Sequence, residues 1–133
     1  MSIETINPGA LYDGSPFGMS QATIDHDSGH VFVSGQVDWD SNYEITATSI
    51  EGQTENAMLN LQTVLQEANS CIEKILQLRV YVRGELADHM EKIVPIIAKY
   101  IGATRPALTG IGVASLASPT TLIEIEAIAK IKR

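Results

Sequence analysis

The run Leu122 to Ile131 constrains the fold more than any other stretch of the chain. Ile123, Ile125, Ala127, Ala129 and Ile131 occupy alternate positions, with Leu122, Glu124, Glu126, Ile128 and Lys130 between them. Side chains of a β-strand point to opposite faces with period two, so one face is wholly apolar and the other mixes aliphatic and charged groups. The apolar face needs a layer of helices over it. The mixed face is too apolar for plain solvent and too polar for a closed core.

Other segments share this two-faced pattern. Val31, Val33 and Val37, and then Leu78, Val80 and Val82, supply comparable apolar faces, while Phe32, Ser34, Gln36, Arg79, Tyr81 and Arg83 fall opposite. Gln21 to Asp25 and His30 to Val37 are β-rich runs joined by the turn chemistry of Asp27-Ser28-Gly29, which predicts a hairpin. Ile75 to Val82 and Pro106 to Val113 read as further strands. Between Thr48 and Asn69 the residues Ala57, Met58, Leu61, Val64, Leu65 and Ala68 recur at helical spacing, with Thr48 or Ser49 as cap and Glu51 in the first turn. Met90, Ile93, Val94, Ile97 and Ile101 mark a second helix from about Ala87 to Tyr100, which Pro95 should kink or shorten. The expected order is strand, strand, helix, strand, helix, strand, strand.

At 133 residues, with 44% hydrophobic and 19% charged residues, the chain is the size and composition of one globular domain spanning residues 1–133. A net charge of -7 sets the averaged field against phosphate backbones and anionic lipid, so neither nucleic acid nor membrane is expected as a partner. Cys71 is the only cysteine, which suits a reducing compartment, and Met1 to Ala10 has no basic stretch followed by an apolar one; a cytoplasmic location is expected. The mixed strand faces read as an interface, which predicts a homo-oligomer.

Glu124 and Glu126 stand roughly 6 to 7 Å apart on one strand face. Such a pair can act as general acid and base, or one member can hold a water beside a reacting carbon. Equally, both can be ion-paired with Arg79 and Arg83. His26 and His30 flank the hairpin turn and read as solvated turn residues, because a zinc-binding His pair four apart needs a helix to bring both to one side. Trp39 reads as the cover of a loop or subunit edge. Ser34, beside Gly35 at a strand end, can donate to a ligand, but Val33-Ser34-Gly35-Gln36 lacks the nucleophile elbow of a serine hydrolase.

Ser20-Gln21-Ala22, Val31-Phe32-Val33-Ser34-Gly35-Gln36 and Ile123-Glu124-Ile125-Glu126-Ala127-Ile128-Ala129, with Gln53, Asn60-Leu61 and Arg105-Pro106-Ala107 between them, resemble the reactive-intermediate deaminase (Rid/YjgF) family over nearly the whole chain. The resemblance implies an α+β fold of the chorismate-mutase-like type, a single-layer sheet with two helices on one face. It also implies a homotrimer with the sheets packed centrally and ligand clefts between subunits. The implied activity is hydrolysis of reactive enamines and imines, such as 2-aminoacrylate, to a keto acid and ammonia, with no metal or cofactor. Glu124 matches the glutamate that positions water.

Leu108, in Arg105-Pro106-Ala107-Leu108-Thr109, stands where active members carry the arginine that clamps the substrate carboxylate. Losing a charge-assisted, bidentate contact is worth about 2 to 4 kcal/mol. The segment Pro16-Phe17-Gly18-Met19-Ser20-Gln21 is two residues longer than the family's usual form, and Ile93 replaces a common Asn, so the cleft is less polar. The resemblance assigns the small-molecule metabolite to Phe17, Ser34, Leu108, Thr109 and Gly110. Two functions follow: a cofactor-free deaminase or hydrolase using Glu124, or a trimer that binds a small metabolite without chemistry. Ribonuclease activity, also described in the family, is disfavoured by the acidic charge.

Overall fold

A computed structural model describes residues 2–133. One mixed sheet of six strands carries the fold: β1 (Ile3–Ile6), β2 (Ala22–Asp25), β3 (His30–Gln36), β4 (Ile75–Arg83), β5 (Ala107–Val113) and β6 (Ile123–Lys130). Their spatial order is β1-β2-β3-β6-β4-β5, with β4 and β5 parallel and every other pair antiparallel. Two helices, α1 (Ile50–Glu67) and α2 (Met90–Ile101), cover one face. This is the two-layer α+β architecture expected from the strand patterns. No helix among the described residues is long and apolar enough to cross a membrane.

The core follows the two periodicities. Val31, Val33, Leu78, Val80, Val82, Ile123, Ile125, Ala127 and Ala129 are buried from the sheet side, and Ala57, Met58, Leu61, Val64 and Leu65 from α1. Ile93 and Ile97 bring α2 into the same cluster. Ser49 caps α1, its hydroxyl accepting from the Gly52 amide at 3.1 Å, with Glu51 in the positive first turn. The second helix begins at Met90, where the apolar repeat itself starts and later than the expected Ala87, after a separate turn over Leu86–Asp88. It runs on through Pro95, whose missing donor leaves one helical bond unmade near the N-terminal end.

Two features depart from the sequence reading. The first strand, Ile3–Ile6, was not expected; it adds to the edge of the hairpin by pairing Ile3 with Asp25 through Ile6 with Ala22. Only Ile6 of its four residues is buried, so it carries almost no periodic signal. The second departure lies in β3. Val33 faces Ala127 and Gln36 faces Ile125, so Ser34 and Gly35 together oppose the single residue Glu126. This β-bulge inserts one residue and reverses the alternation beyond it. Gln36 therefore turns into the core, 1% exposed, instead of joining Phe32 and Ser34 on the open face.

The buried polar side chains tie the strands around the bulge to their neighbours. Gln36 Nε2 donates to Gln21 Oε1 at 3.0 Å and to the Ser34 carbonyl at 3.1 Å, and Gln21 Nε2 donates to the Tyr12 carbonyl at 3.0 Å. From α1, the half-buried Asn60 adds a bond of the same kind, its Nδ2 donating to the Val37 carbonyl at 2.9 Å. Gln53 reaches the far loop: its Nε2 donates to the carbonyls of Ala47 and Thr120, and its Oε1 accepts from the Leu122 amide at 2.8 Å. Buried amides of this kind are satisfied only in one arrangement, so they fix where β3 ends and where β6 begins.

Candidate functional site

The ends of β3 and β6 that these amides fix carry Ser34, Gly35 and Glu124. On the open side of the sheet the three face a cavity of about 270 Å³, lined also by Tyr12, Phe17, Met19, Trp39 and Ala117. Glu124 enters it because position 35 has no side chain. A Cβ on Gly35 would collide with Glu124 Oε2 and come within 2.7 Å of its Cγ. The backbone there is not left-handed, so this glycine is required by the close approach and not by its torsion.

Glu124 and Glu126 share a face but not an environment. Tyr81 OH donates a hydrogen bond to Glu126, and Arg79 Nη1 lies 3.8 Å from the same Oε1. Arg83, the other expected partner, is turned away. Its Nε donates to the Thr121 carbonyl at 2.9 Å and its Nη2 to the Ser118 carbonyl at 2.6 Å, bracing the loop before β6. Among the described residues no side chain hydrogen-bonds or ion-pairs with the Glu124 carboxylate. Burial, and secondarily the charge of Glu126, push the Glu124 carboxyl above the ordinary 4.5. The reading of both glutamates as paired therefore holds for Glu126 alone.

Ser34 is also more constrained than its position in the sequence suggests. Its hydroxyl donates to the Ser20 carbonyl at 2.7 Å, so toward a ligand the oxygen accepts and does not donate.

The remaining walls are aromatic. Tyr12 and Trp39 meet edge to face with ring centroids 5.0 Å apart, and Phe17 lies 6.2 Å from Trp39. Tyr43 backs the group, 5.7 Å from Tyr12 and 6.0 Å from both Phe17 and Trp39. Trp39, expected as a loop or edge cover, is thus a pocket wall. Tyr43 adopts φ 63°, a left-handed conformation that is strained for a bulky side chain. The loop holds it there: Asp40 Oδ1 accepts from the amides of Asn42 and Glu44, and the Tyr43 hydroxyl donates to the Asp13 carbonyl at 2.8 Å. Asp38, 3% exposed, accepts from Thr46 Oγ1 and the Ala47 amide and closes the loop's other end.

Of the residues singled out in the sequence, the structure brings Glu124, Ser34 and Phe17 together. Leu108 and Gly110 lie elsewhere in the same chain, on the helix side of the edge strand β5. There they line an apolar groove of about 230 Å³ with Leu86, Met90, Val94 and Ile97, beside the buried Ile93. Thr109 points the other way, level with Arg79 on the open face. His26 is occupied by Glu4 at 2.8 Å and His30 by the Ser28 hydroxyl at 2.8 Å. Sequence reasoning missed Tyr12, Met19 and Tyr43. The cue available was an excess of aromatic residues in the loops on either side of the β2–β3 hairpin, since Tyr12, Phe17, Trp39 and Tyr43 all lie outside the strands.

A model of the family described as Endoribonuclease L-PSP matches residues 18–131. Among curated proteins, a putative regulator AldR of Lactococcus lactis is 33% identical over 79% of this chain and 82% of its own length. A Rid-family protein of unknown function from Yersinia pestis, YyfB, superposes with a TM-score of 0.72 at 35% identity, covering 98% of this chain and 100% of that one. A putative endoribonuclease from Thermotoga maritima superposes with a TM-score of 0.86 at 26% identity, covering 98% of each chain.

Proposed function

The chain belongs to the Endoribonuclease L-PSP family, the Rid/YjgF family that its motifs resemble, and on that premise we propose that it is a cofactor-free deaminase of small imines or enamines. Glu124 is the residue we assign to catalysis. The observation that carries the reading is its carboxylate, half-buried at a pocket floor, unpaired, and held at a raised pKa. A carboxylate bound to Arg is a weak base, whereas one whose pKa is raised and whose oxygens are free can take a proton from water.

The step balances simply. Glu124 accepts a proton from a water as its oxygen adds to the C=N carbon, and the nitrogen takes up a proton to give a carbinolamine. The hydroxyl proton then passes to nitrogen, through Glu124, as the C–N bond breaks, and a carbonyl and ammonia leave. An enamine enters the same route once protonated at carbon. Nothing in this sequence requires a metal or a redox group.

Leu108 supports a substrate without a carboxylate. It presents apolar surface where the family's arginine would clamp an acid. Within one chain it lies on the helix side of the sheet, so it would reach a pocket like that of Glu124 only from a neighbouring subunit, in a cleft between copies.

The test is ammonia release from imines generated in place by oxidation of simple alkylamines. Wild type should accelerate release, and Glu124→Ala should abolish the acceleration. Equal rates for the two would remove Glu124 from the mechanism. No acceleration by wild type, with saturable binding retained, would leave a metabolite-binding protein instead.

A further inference from the structure

We infer that the Glu124 pocket binds a compact organic cation, an alkylammonium or iminium ion, held between the carboxylate and the faces of Tyr12, Phe17 and Trp39. This rests on the pocket being the functional site but not on the hydrolysis proposed above.

Three observations converge on a positive ligand. The pocket contains one carboxylate and no Lys, Arg or His in its lining, and the arginines nearest along the sheet are committed elsewhere, Arg79 to Glu126 and Arg83 to the carbonyls of Ser118 and Thr121. A half-buried carboxylate without a partner loses part of its hydration, and a bound cation supplies the missing charge. The walls are π-surfaces and a thioether, Met19, which are poor ligands for a hydrated anion but attract a weakly hydrated cation through their negative faces.

The third observation is what the polar groups can offer. Ser34 has already given its proton to the Ser20 carbonyl, so its oxygen and the Glu124 oxygens are all acceptors. The Glu124 carboxylate and the Ser34 hydroxyl of the lining are thus suited to an N–H or a positive charge and unsuited to a carboxylate. The volume, about 270 Å³, is below that of most drug-sized sites, which limits the ligand to a few heavy atoms.

Trp39 is the only tryptophan in the chain, so its fluorescence reports on this pocket alone. The experiment titrates full-length protein at constant ionic strength with tetramethylammonium, the neutral tert-butyl alcohol, and the anion pivalate. Tetramethylammonium should perturb Trp39 saturably and bind about tenfold or more tighter than tert-butyl alcohol, with pivalate not binding. Glu124→Gln should weaken the cation by about tenfold or more and leave tert-butyl alcohol unchanged, while Phe17→Leu, which keeps the fluorophore, should weaken the cation selectively. Equal binding of cation and neutral isostere, or a cation affinity indifferent to Glu124→Gln, overturns the inference.

The outcome is separable from that of the hydrolysis assay. Cation binding without ammonia release would sink the deaminase and leave the cation site standing. Ammonia release that tetramethylammonium fails to inhibit would do the reverse.

Discussion

Replacing Gly35 with alanine isolates the contact that places Glu124 in its pocket. The new Cβ would overlap Oε2 of Glu124, lie 2.5 Å from its Cδ and lie 2.7 Å from its Cγ. Because even Cγ is too close, a shift of the carboxylate tip does not relieve the overlap; the whole side chain has to rotate about χ1 or the bulge has to move. Overpacking of this kind costs roughly 1 to 3 kcal/mol. Gly35 does not need a left-handed backbone, so almost all of that cost comes from Glu124. Urea unfolding of wild type, Gly35→Ala, Glu124→Ala and the double variant closes a double-mutant cycle. Gly35→Ala alone should lose about 1 to 3 kcal/mol, while in the Glu124→Ala background it should lose less than about 0.5, a coupling of about 0.5 to 3 kcal/mol. The same substitution should reduce Glu124-dependent binding as far as Glu124→Ala does. Equal destabilisation in both backgrounds would refute the account, because the strain would then lie in the bulge and not in the carboxylate.

Two further outcomes follow from the site and the sheet. Glu124 keeps its proton to higher pH in the folded protein than its ordinary 4.5, so its ionisation opposes folding as pH rises. Glu124→Gln should accordingly be more stable than wild type at about pH 8 and lose that advantage below about pH 4, where both side chains are neutral; a constant difference in Tm across this range would contradict the raised pKa. The open sheet face exposes Phe32 at 47% beside Ile128, and we propose that copies of the chain cover it in a trimer. Light scattering should give a mass near three times the 14.4 kDa of one chain, and a monomer at micromolar concentration would exclude a site shared between subunits.

What could be read from the sequence divides along physical lines. The helix Ile50–Glu67 and the strands Ile75–Arg83 and Ile123–Lys130 were legible because burial on one face forces a period on the residues themselves. Glu124 was legible for the same reason, as the polar member of an alternating strand. The bulge was not: Val33-Ser34-Gly35-Gln36 continues the alternation as written, and only pairing with Ala127 and Ile125 reveals the extra residue. Arg83 looked available to a glutamate because a strand position states which face a side chain leaves from, not how far it reaches. Tyr12, Phe17, Trp39 and Tyr43 come from separate loops with no common period, so their convergence is a property of the folded chain alone.

The central place of β6 bears on how the protein is made. It is the last of the described strands in chain order, yet it lies between β3 and β4, and the strand pairing that joins β1-β2-β3 to β4-β5 runs through it. A ribosome that has released everything up to Thr121 has produced two separate sheet fragments with exposed edges and no Glu124. The sheet and its carboxylate come together only once β6 has been made, so a chain that stops short of it presents strand edges for aggregation but no assembled pocket.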